Sequence, residues 1–388
     1  MIASAETLPA IAPPNWSALR GEFPTLARWI HLDLARKAVL PRWVEGATQE
    51  WFADIYDNAG EAAFSMDRIE EARIALARLL GLDPAGLAMV KNTSEGANII
   101  ARGLKLRRGD NVVIGEAEHE NNTFPWRYLE RDGVEVRIVP MRSDGRLPPE
   151  DYPERIDRNT RVVSVAWVAY GNGYRADIAG LRAHMANSNA WLVVDAMHGA
   201  GVLAQPLAEL GADAFICGGH KALLALAGAG FLHVRPERIS ELEPPYAAKF
   251  SFESNDRFHP QLMLAADAHR FEYGNPNFLG CWVIRRSAEQ LISIGLTAIE
   301  SRVRELTTTA LELADERGIT VRTPRAWTDR AGIISFDFKR DADAMAARLK
   351  TQRIVTSVKD GFLRIACHFY NDESDLQQFF DTVCGSRP

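Results

Sequence analysis

The segment GGHKALLALAGAGF places one lysine, Lys221, among small and apolar residues. Moving an amine out of water disfavours its charged form, so these surroundings favour the neutral, nucleophilic amine that carbonyl chemistry requires. The local sequence is equally compatible with a surface lysine at the exit of a strand. Both interpretations stay open on this segment alone.

Other polar side chains follow apolar runs elsewhere in the chain. Asp195 closes the run WLVVD, and His198 follows it three residues later. His119 lies in GEAEHENNTFPW, directly after another apolar run. Each side chain has an ordinary alternative role, because Asp195 could cap a helix and a histidine in a loop is usually solvated.

The segment KNTSEGAN follows the apolar run at residues 87–90 and has the composition of a turn into a helix. Thr93 and Ser94 bring hydroxyl groups to this helix start, where free backbone N–H groups can bind a phosphate. A simple N-cap without a ligand is the alternative.

The elements that must position these residues alternate between apolar strands and amphipathic helices. Continuous apolar strands separated by helices indicate parallel pairing that is covered on both faces. We therefore predict an open α/β sheet, in which ligands bind beyond the carboxyl ends of the strands. The predicted strands are residues 87–90, 112–114, 134–139, 162–168, 191–195, 214–217 and 231–234, and the predicted helices between them include 66–80 and 178–187.

Residues 244–276 form an irregular stretch with Gly, Pro, Asn and aromatic residues, which is typical of a connection that lines a site or an interface. The order of the elements beyond it predicts a compact α+β unit. These elements are a helix at 296–316, a strand at 332–338, a helix at 343–350, strands at 354–358 and 362–369, and a helix at 375–383. We predict a loose N-terminal arm over residues 1–20, a large domain over 21–280 and a small domain over 281–388.

Composition narrows the possible partners and location. The chain has 388 residues and is 47% hydrophobic and 25% charged, which is typical of a globular protein. Its net charge is −6, so we do not expect nucleic acid or an anionic membrane as a partner. The four cysteines stand apart, which argues against a disulfide framework or a metal site. We see no signal peptide and no stretch of about 18 apolar residues, so we expect a cytoplasmic protein.

Seven segments resemble, in order, the class V aminotransferase group of fold-type-I pyridoxal-phosphate enzymes. Relatives in this group include cysteine desulfurases, isopenicillin N epimerase-like proteins and carbon–sulfur lyases. The segments are HLDLA, KNTSEGAN, EAEHENNTFPW, VVDAMH, GGHK followed by AGAGF, RFEYGNPN and LRIACHFYN. The resemblance implies a large domain with a mainly parallel sheet, a smaller C-terminal α+β domain, and pyridoxal 5′-phosphate as the cofactor.

The resemblance also implies roles at the cofactor ring. Lys221 would form the Schiff base with the cofactor and then move the α-proton of the substrate. Asp195 would pair with the pyridine nitrogen, which keeps the ring an electron sink. His119 would stack on the ring face. His198 stands where relatives have a residue that hydrogen-bonds the phenolic oxygen.

Further roles concern the phosphate and the substrate. Thr93, Ser94 and His220 would hold the phosphate. Asn275, where many relatives carry a threonine, would reach the phosphate of a neighbouring subunit in a homodimer with shared active sites. Arg364 would clamp the carboxylate of an amino-acid substrate with two parallel hydrogen bonds.

Two departures from the family pattern bear on the reaction. The segment IVTSVKDGFLR lacks the loop cysteine of desulfurases, and we interpret Cys367 as a small buried side chain. Tyr170 stands where desulfurases have an asparagine, so it either donates a hydrogen bond in the site or only packs. Arg36 and its neighbour Lys37 could bind an extra anionic group of the substrate, although a solvated charge pair is the favoured interpretation.

These residues predict a pyridoxal-phosphate enzyme that acts on an amino acid through an external aldimine and α-proton abstraction. A β-eliminating carbon–sulfur lyase is the favoured reaction, with an epimerase or an aminotransferase as alternatives. A catalytically inactive binding protein of the same fold is a more distant alternative. A nucleotide-binding α/β protein ranks low, because the sequence lacks both GxGxxG after its first strand and GxxxxGK[ST].

Overall fold

The computed structural model describes residues 14–254 and 256–384, and the structural statements below concern these residues. The helices are α1 (Trp16–Gly21), α2 (Arg42–Asn58), α3 (Met66–Leu80), α4 (Thr93–Gly103), α5 (Glu120–Arg127), α6 (Ile178–His184), α7 (Phe278–Ile294), α8 (Leu296–Asp315), α9 (Ala342–Thr351) and α10 (Glu373–Cys384). The strands are β1 (Ile30–His31), β2 (Leu87–Val90), β3 (Asn111–Gly115), β4 (Glu135–Val139), β5 (Thr160–Ala166), β6 (Trp191–Asp195), β7 (Ala214–Gly218), β8 (Gly230–Val234), β9 (Thr320–Val321), β10 (Ile333–Asp337), β11 (Ile354–Val355), β12 (Ser357–Lys359) and β13 (Phe362–Ala366).

The larger sheet has seven strands in the order β2-β8-β7-β6-β5-β3-β4. Only β8 runs against its neighbours, so the sheet is mainly parallel, as predicted. Alternate residues of one strand enter different hydrophobic clusters: Leu192 and Val194 pack on one face, while Trp191 and Val193 pack on the other. Both faces are therefore covered, which confirms the predicted α/β fold class.

The smaller sheet is antiparallel, with the order β12-β13-β10-β9. Its core joins Phe336 and Leu363 of the sheet to Leu306 of α8 and Phe379 of α10. A separate parallel pair, β1 with β11, brings the segment after α1 against this C-terminal region. The smaller C-terminal α+β part of the predicted fold is thus confirmed.

Local sequence signals set several element boundaries. Helix α3 has the predicted bounds, because the Ser65 hydroxyl accepts a hydrogen bond from the backbone N–H of Asp67 at its start, and Gly81 takes a left-handed conformation (φ 65°) at its end. The predicted strand at 354–358 is instead two strands, β11 and β12, because β11 pairs with β1 whereas β12 pairs with β13. That prediction was wrong, since the change of partner depends on chain-distant segments.

Two observations concern the predicted domain limits. Helix α7 spans the predicted boundary at 280/281, and its Val283 and Ile284 pack in the same hydrophobic cluster as Ile69 and Leu76 of α3. Most of the predicted N-terminal arm, residues 1–13, lies outside the described residues. Its last part differs from a loose arm, because α1 is anchored where Arg20 pairs with Asp375 at 2.8 Å. The division at residue 280 stays a prediction.

Two features are absent from the part of the chain that the structure describes. None of its helices is both long and apolar enough to cross a membrane. No cluster of three or more His, Cys, Asp or Glu side chains in this part has an arrangement that could hold a metal ion.

Candidate active site

A cavity of about 500 Å³ opens at the carboxyl edge of the large sheet and is closed on its other side by β12 and β13. Asp195 is the last residue of β6, Lys221 follows β7 by three residues, and Thr93 begins the helix that follows β2. Because the carboxyl ends of parallel strands meet at one edge, these side chains converge. The predicted site residues that line the cavity are Arg36, Thr93, His119, Tyr170, Asp195, His198, His220, Lys221 and Arg364.

The amine of Lys221 lies at the centre of this set. Its Nζ is 3.3 Å from Nε2 of His198. Burial lowers the pKa of Lys221 to about 8, although the nearby Asp195 carboxylate raises it. Burial, followed by the charge of Lys221, also holds the pKa of His198 well below its usual value. The pair therefore presents a readily neutralised amine beside a neutral imidazole, which is the state that the sequence context of Lys221 predicts.

The carboxylate of Asp195 is nearly removed from solvent, with 7% of the residue exposed. One of its oxygens accepts a hydrogen bond of 2.9 Å from the backbone N–H of Met197. Burial raises the pKa of Asp195 to about 6, against the opposing effects of that N–H and of Lys221. Within the described chain no donor reaches the second oxygen, so this oxygen is available to a cationic partner in the cavity.

His119 lies at the start of α5 and forms part of the cavity wall. Its Nδ1 accepts a 3.0 Å hydrogen bond from the backbone N–H of Asn121, which fixes the ring at the helix N-cap. Its ring and that of Tyr170 meet edge to face, with centroids 4.9 Å apart. Burial lowers the pKa of His119, so the ring is a neutral, flat surface suited to stacking on an aromatic ligand.

Glu118 supports this wall from behind and was missed by the sequence reasoning. Its carboxylate accepts hydrogen bonds from Asn122 Nδ2 at 2.7 Å and from the backbone N–H of Ala166 at 2.8 Å. Burial of the carboxyl group raises the pKa of Glu118 to about 8 against the effect of both donors. Glu118 thus joins α5 to the end of β5. The polar segment EAEHENN gives no signal that one of its acids turns inward.

The start of α4 forms the end of the cavity suited to a phosphate. Asn92 caps the helix by accepting a 2.9 Å hydrogen bond from the backbone N–H of Glu95. Thr93 is buried and lines the cavity together with His220. Ser94 is partly exposed and does not line it. The arrangement combines a hydroxyl, an imidazole and the positive end of a helix dipole, which together suit an anion.

Asn275 lies apart from the other predicted residues. It is exposed and lines a different cavity of about 350 Å³, together with Lys91, Glu95 and Tyr273. The Tyr273 hydroxyl donates a 2.9 Å hydrogen bond to Glu95, which fixes this segment against α4. The predicted contact of Asn275 concerns a neighbouring subunit and stays a prediction.

Arg364, on β13, forms the substrate side of the cavity and is only 2% exposed. Its Nε and Nη2 donate to the Ser357 hydroxyl at 3.0 and 2.8 Å, and its Nη1 donates to the carbonyl oxygen of Tyr170. Its Nη2 also lies 3.3 Å from Oδ1 of Asp33. These contacts hold the guanidinium in place at the cavity wall. The predicted clamp with two parallel bonds stays a prediction, because most of the N–H groups already have partners.

Asp33 is a second residue that the sequence reasoning did not place in the site. It is 1% exposed and lies between two arginines, with Oδ2 at 3.1 Å from Nε of Arg36 and Oδ1 facing Arg364. A buried carboxylate that is paired in this way orients the guanidinium groups around it. The segment HLDLA carried a signal only through the family resemblance.

A tight hairpin joins β12 to β13 beside these arginines. Its two turn residues, Asp360 and Gly361, have φ values of 52° and 80°, and Gly361 supplies the left-handed conformation that such a turn requires. Lys359 precedes the turn, lines the cavity, and has its Nζ 5.5 Å from the centroid of the Tyr170 ring. Lys359 was not among the predicted site residues.

The family profile described as Aminotransferase class-V matches residues 30–379, which is most of the chain. The chain belongs to the class-V aminotransferase family. Curated relatives of this class-V protein also match over most of its length. It is 29% identical over 394 residues to a probable cysteine desulfurase of Methanothermobacter thermautotrophicus, covering 94% of this chain and 96% of the relative. It is 26% identical over 362 residues to the uncharacterized aminotransferase YcbU of Bacillus subtilis, covering 93% of this chain and 95% of the relative.

Solved structures give the same fold. The apo cysteine desulfurase of Thermococcus onnurineus superposes with a TM-score of 0.86 at 25% identity, covering 96% of this chain and 98% of that structure. A mutant of the C-DES protein with glycine covalently linked to its pyridoxal-phosphate cofactor superposes with a TM-score of 0.87 at 19% identity, covering 94% and 98%. At that identity the second match establishes the fold of this class-V protein.

As a member of this family, the class-V protein is a pyridoxal-phosphate-dependent enzyme, and its site residues fit that cofactor. The amine of Lys221 has a lowered pKa, as carbonyl chemistry requires. The free oxygen of Asp195 suits a protonated pyridine nitrogen. The start of α4 suits the phosphate. The cavity therefore offers an amine, an acid and an anion site, which are the three kinds of group that the cofactor requires.

Proposed function

We propose that this class-V enzyme is a β-eliminating carbon–sulfur lyase that acts on S-substituted cysteines. The observation that carries the proposal is the combination of the Lys221 amine with a cavity that no cysteine of residues 14–254 and 256–384 lines. The amine can remove an α-proton, while transfer of sulfur to the enzyme would need a thiol. A β-elimination that releases the sulfur group to solution uses the amine and needs no enzyme thiol.

The cysteines support this choice over a desulfurase. Cys217, Cys281 and Cys367 are buried, and Cys384 is exposed on α10, away from the cavity. Burial raises the pKa of Cys367 to about 12, so its thiol is protonated at neutral pH and is a poor nucleophile. The prediction that Cys367 is a small buried side chain is confirmed. Relatives named cysteine desulfurases match over most of this chain, and residues 354–364, where the resemblance implies a loop cysteine in desulfurases, contain none.

The enzyme's own residues divide the work as follows. The cofactor, when bound, supplies an electron sink for the charge that develops at the α-carbon. Lys221 removes the α-proton, and His198, 3.3 Å away, orients its amine. Asp195 would hold the pyridine nitrogen protonated, and His119 would cover the ring and exclude water. Arg364 binds the substrate carboxylate.

The overall reaction balances without an oxidant or a reductant. An S-substituted cysteine and water give a thiol, pyruvate and ammonia. The sulfur leaves with the electron pair of the carbon–sulfur bond and takes up a proton. Water supplies the keto oxygen of pyruvate, and the amino nitrogen leaves as ammonia.

The experiment is an assay of pyruvate and released thiol from cysteine and a panel of S-substituted cysteines, with enzyme saturated with pyridoxal phosphate. We expect both products in equal amounts. A fold neighbour described as the cystine C–S lyase C-DES provides a positive control on the same fold. If no substrate yields pyruvate, the lyase proposal is overturned.

Transamination is the second candidate, because the Bacillus subtilis relative is named an aminotransferase and covers 93% of this chain. The same residues would serve if the proton returned to the cofactor instead of a group leaving the β-carbon. Amino-acid-dependent conversion of an α-keto acid, without thiol release, would select this reaction. Racemised substrate recovered from deuterated water, without either product, would select epimerisation.

We also propose a homodimer with shared active sites in the cytoplasm. The exposed Asn275, which lines a different cavity from that of Lys221, supports a contact with a neighbouring subunit. The separate, unpaired cysteines support a reducing compartment. Light scattering coupled to size exclusion tests the dimer, and a mass of one chain would contradict it.

A further inference from the structure

The hairpin of β12 and β13 directs a row of polar side chains at the cavity. Ser357 pairs with Arg364 across the two strands, and Lys359 pairs with Phe362. Alternate residues of a strand share one face, so Ser357 and Lys359 are on the face that carries the Arg364 guanidinium. Two residues of a strand span about 6–7 Å. Lys359 therefore lies one side chain further along the same wall.

The cationic side chains of this wall differ in whether they have a carboxylate partner. Arg36 and Arg364 share the buried carboxylate of Asp33, at 3.1 and 3.3 Å. Lys359 has neither an ion pair nor a hydrogen bond from its ammonium among residues 14–254 and 256–384, and its described contact is with the face of the Tyr170 ring. An ammonium that lines a substrate cavity without a carboxylate partner is available to an anion that enters the cavity.

A second cavity shares part of its wall with the catalytic cavity. Tyr170 and Lys359 also line this second cavity of about 530 Å³, whose wall combines Arg322 with the carboxylates of Glu116, Asp144 and Asp360. A substrate bound at Arg364 can extend its side chain along β12 as far as Lys359, which lines both cavities, while the three carboxylates disfavour an anion deeper in the second cavity. Among the described residues, the carboxylates that line the catalytic cavity are Asp195, on the cofactor side, and Asp343, which is exposed at the start of α9.

We infer that Lys359 binds a second anionic group at the far end of the substrate side chain. The substrate class is then an amino acid whose side chain ends in a negative charge, such as an S-(carboxyalkyl)cysteine. The inference rests on the proposed function for the use of Arg364 by the α-carboxylate. The spacing of about 6–7 Å along β12 corresponds to an anion several bonds from the α-carbon.

The test compares two ligands of nearly equal shape, S-(2-carboxyethyl)-L-cysteine and its neutral amide, S-(2-carbamoylethyl)-L-cysteine. Dissociation constants come from the visible absorbance change of the holoenzyme, and kcat/KM comes from pyruvate release. We expect the wild type to bind the acid about 10-fold more tightly than the amide, as a charge-assisted contact implies. The Lys359→Met variant should bind both equally, and Lys359→Arg should keep the preference.

The matched control is Lys350→Met, which removes one charge from an exposed lysine on the neighbouring α9 that does not line the cavity. It should keep the wild-type preference. Equal binding of the two ligands by the wild type, or an unchanged preference in Lys359→Met, overturns the inference. A preference that depends on Lys359 without any pyruvate would overturn the lyase proposal alone. Pyruvate formed from both ligands without a binding preference would overturn only the role of Lys359.

Discussion

The two walls of the cavity are built in different ways. The wall with Asp195 and Lys221 follows buried parallel strands, and desolvation shifts the pKa values of both groups. The wall with Arg364 is an antiparallel hairpin whose guanidinium is held by Ser357 and Asp33. Burial thus tunes proton transfer on one side, whereas ion pairs fix geometry on the other. Changes on the first wall should alter chemistry, and changes on the second should alter substrate binding.

Lys221→Ala should have the largest effect, because it removes the amine that we propose both attaches the cofactor and moves the proton. We expect turnover to fall by at least about 10³-fold. The measurement is kcat in the pyruvate assay, with the visible band of the bound cofactor as a second readout. Circular dichroism verifies folding. Full activity in this variant would remove Lys221 from the mechanism.

Arg364→Lys should affect mainly substrate binding. A lysine keeps a positive charge beside Asp33, which limits the damage to the fold, but it cannot donate to several partners in one plane. We expect KM for the amino acid to rise roughly 10- to 100-fold, with a smaller change in kcat. The exposed Arg348→Lys on α9 is the control. An unchanged KM would contradict the assignment of the carboxylate to Arg364.

The rate of cofactor capture should report the pKa of Lys221. The pKa is lowered from 10.5 to about 8, so the neutral amine is abundant only above pH 8. Below pH 8 its fraction falls about tenfold per unit, and covalent attachment of pyridoxal phosphate to the cofactor-free enzyme should slow accordingly. Stopped-flow absorbance from pH 6 to 10 measures this. A rate that keeps rising to pH 10 would indicate an ordinary, solvated lysine. It would contradict the claim that desolvation shifts the pKa values on this wall.

Cys367→Ala should have the smallest effect on activity. The side chain is fully buried in the C-terminal core, where Ala leaves a small void that costs about 1 kcal/mol of unfolding free energy. We expect kcat/KM within about twofold of the wild type, because the C–S bond cleavage proposed here uses no enzyme thiol. Chemical denaturation measures the first quantity and the pyruvate assay the second. Loss of activity in a folded variant would indicate sulfur transfer to this cysteine.

The sequence predicts the cofactor wall well, for a physical reason. Apolar runs such as WLVVD mark strands that are buried on both faces, and a polar residue at the end of such a strand lies at the ligand edge. Asp195, His119 and Lys221 could therefore be placed from local patterns before their spatial relation was known. The family resemblance then supplied the cofactor. The bounds of α3 were equally local, since Ser65 and Gly81 mark its ends.

The substrate wall depends on contacts that no local pattern encodes. Asp33 and Arg364 are 331 residues apart in the chain, and the sequence reasoning gave Asp33 no role in the site. The division of residues 354–358 into β11 and β12 depends on the distant partners β1 and β13. Glu118 belongs to a polar segment whose composition resembles a solvated loop. In each case the stabilising contact, an ion pair, a strand pairing or a hydrogen bond, forms only when the chain has folded.

By itself, then, the sequence determined the order of buried strands, the identity of the amine and acid at their ends, and the absence of a cysteine from the segment before Arg364. Only the tertiary structure decided how Asp33, Ser357 and Lys359 surround the substrate side. The burial of a strand can be predicted from neighbouring residues, because its side chains must be apolar wherever the strand is covered. The strength and partners of a charge depend on which distant groups and how much water surround it, and these are fixed only by the folded chain.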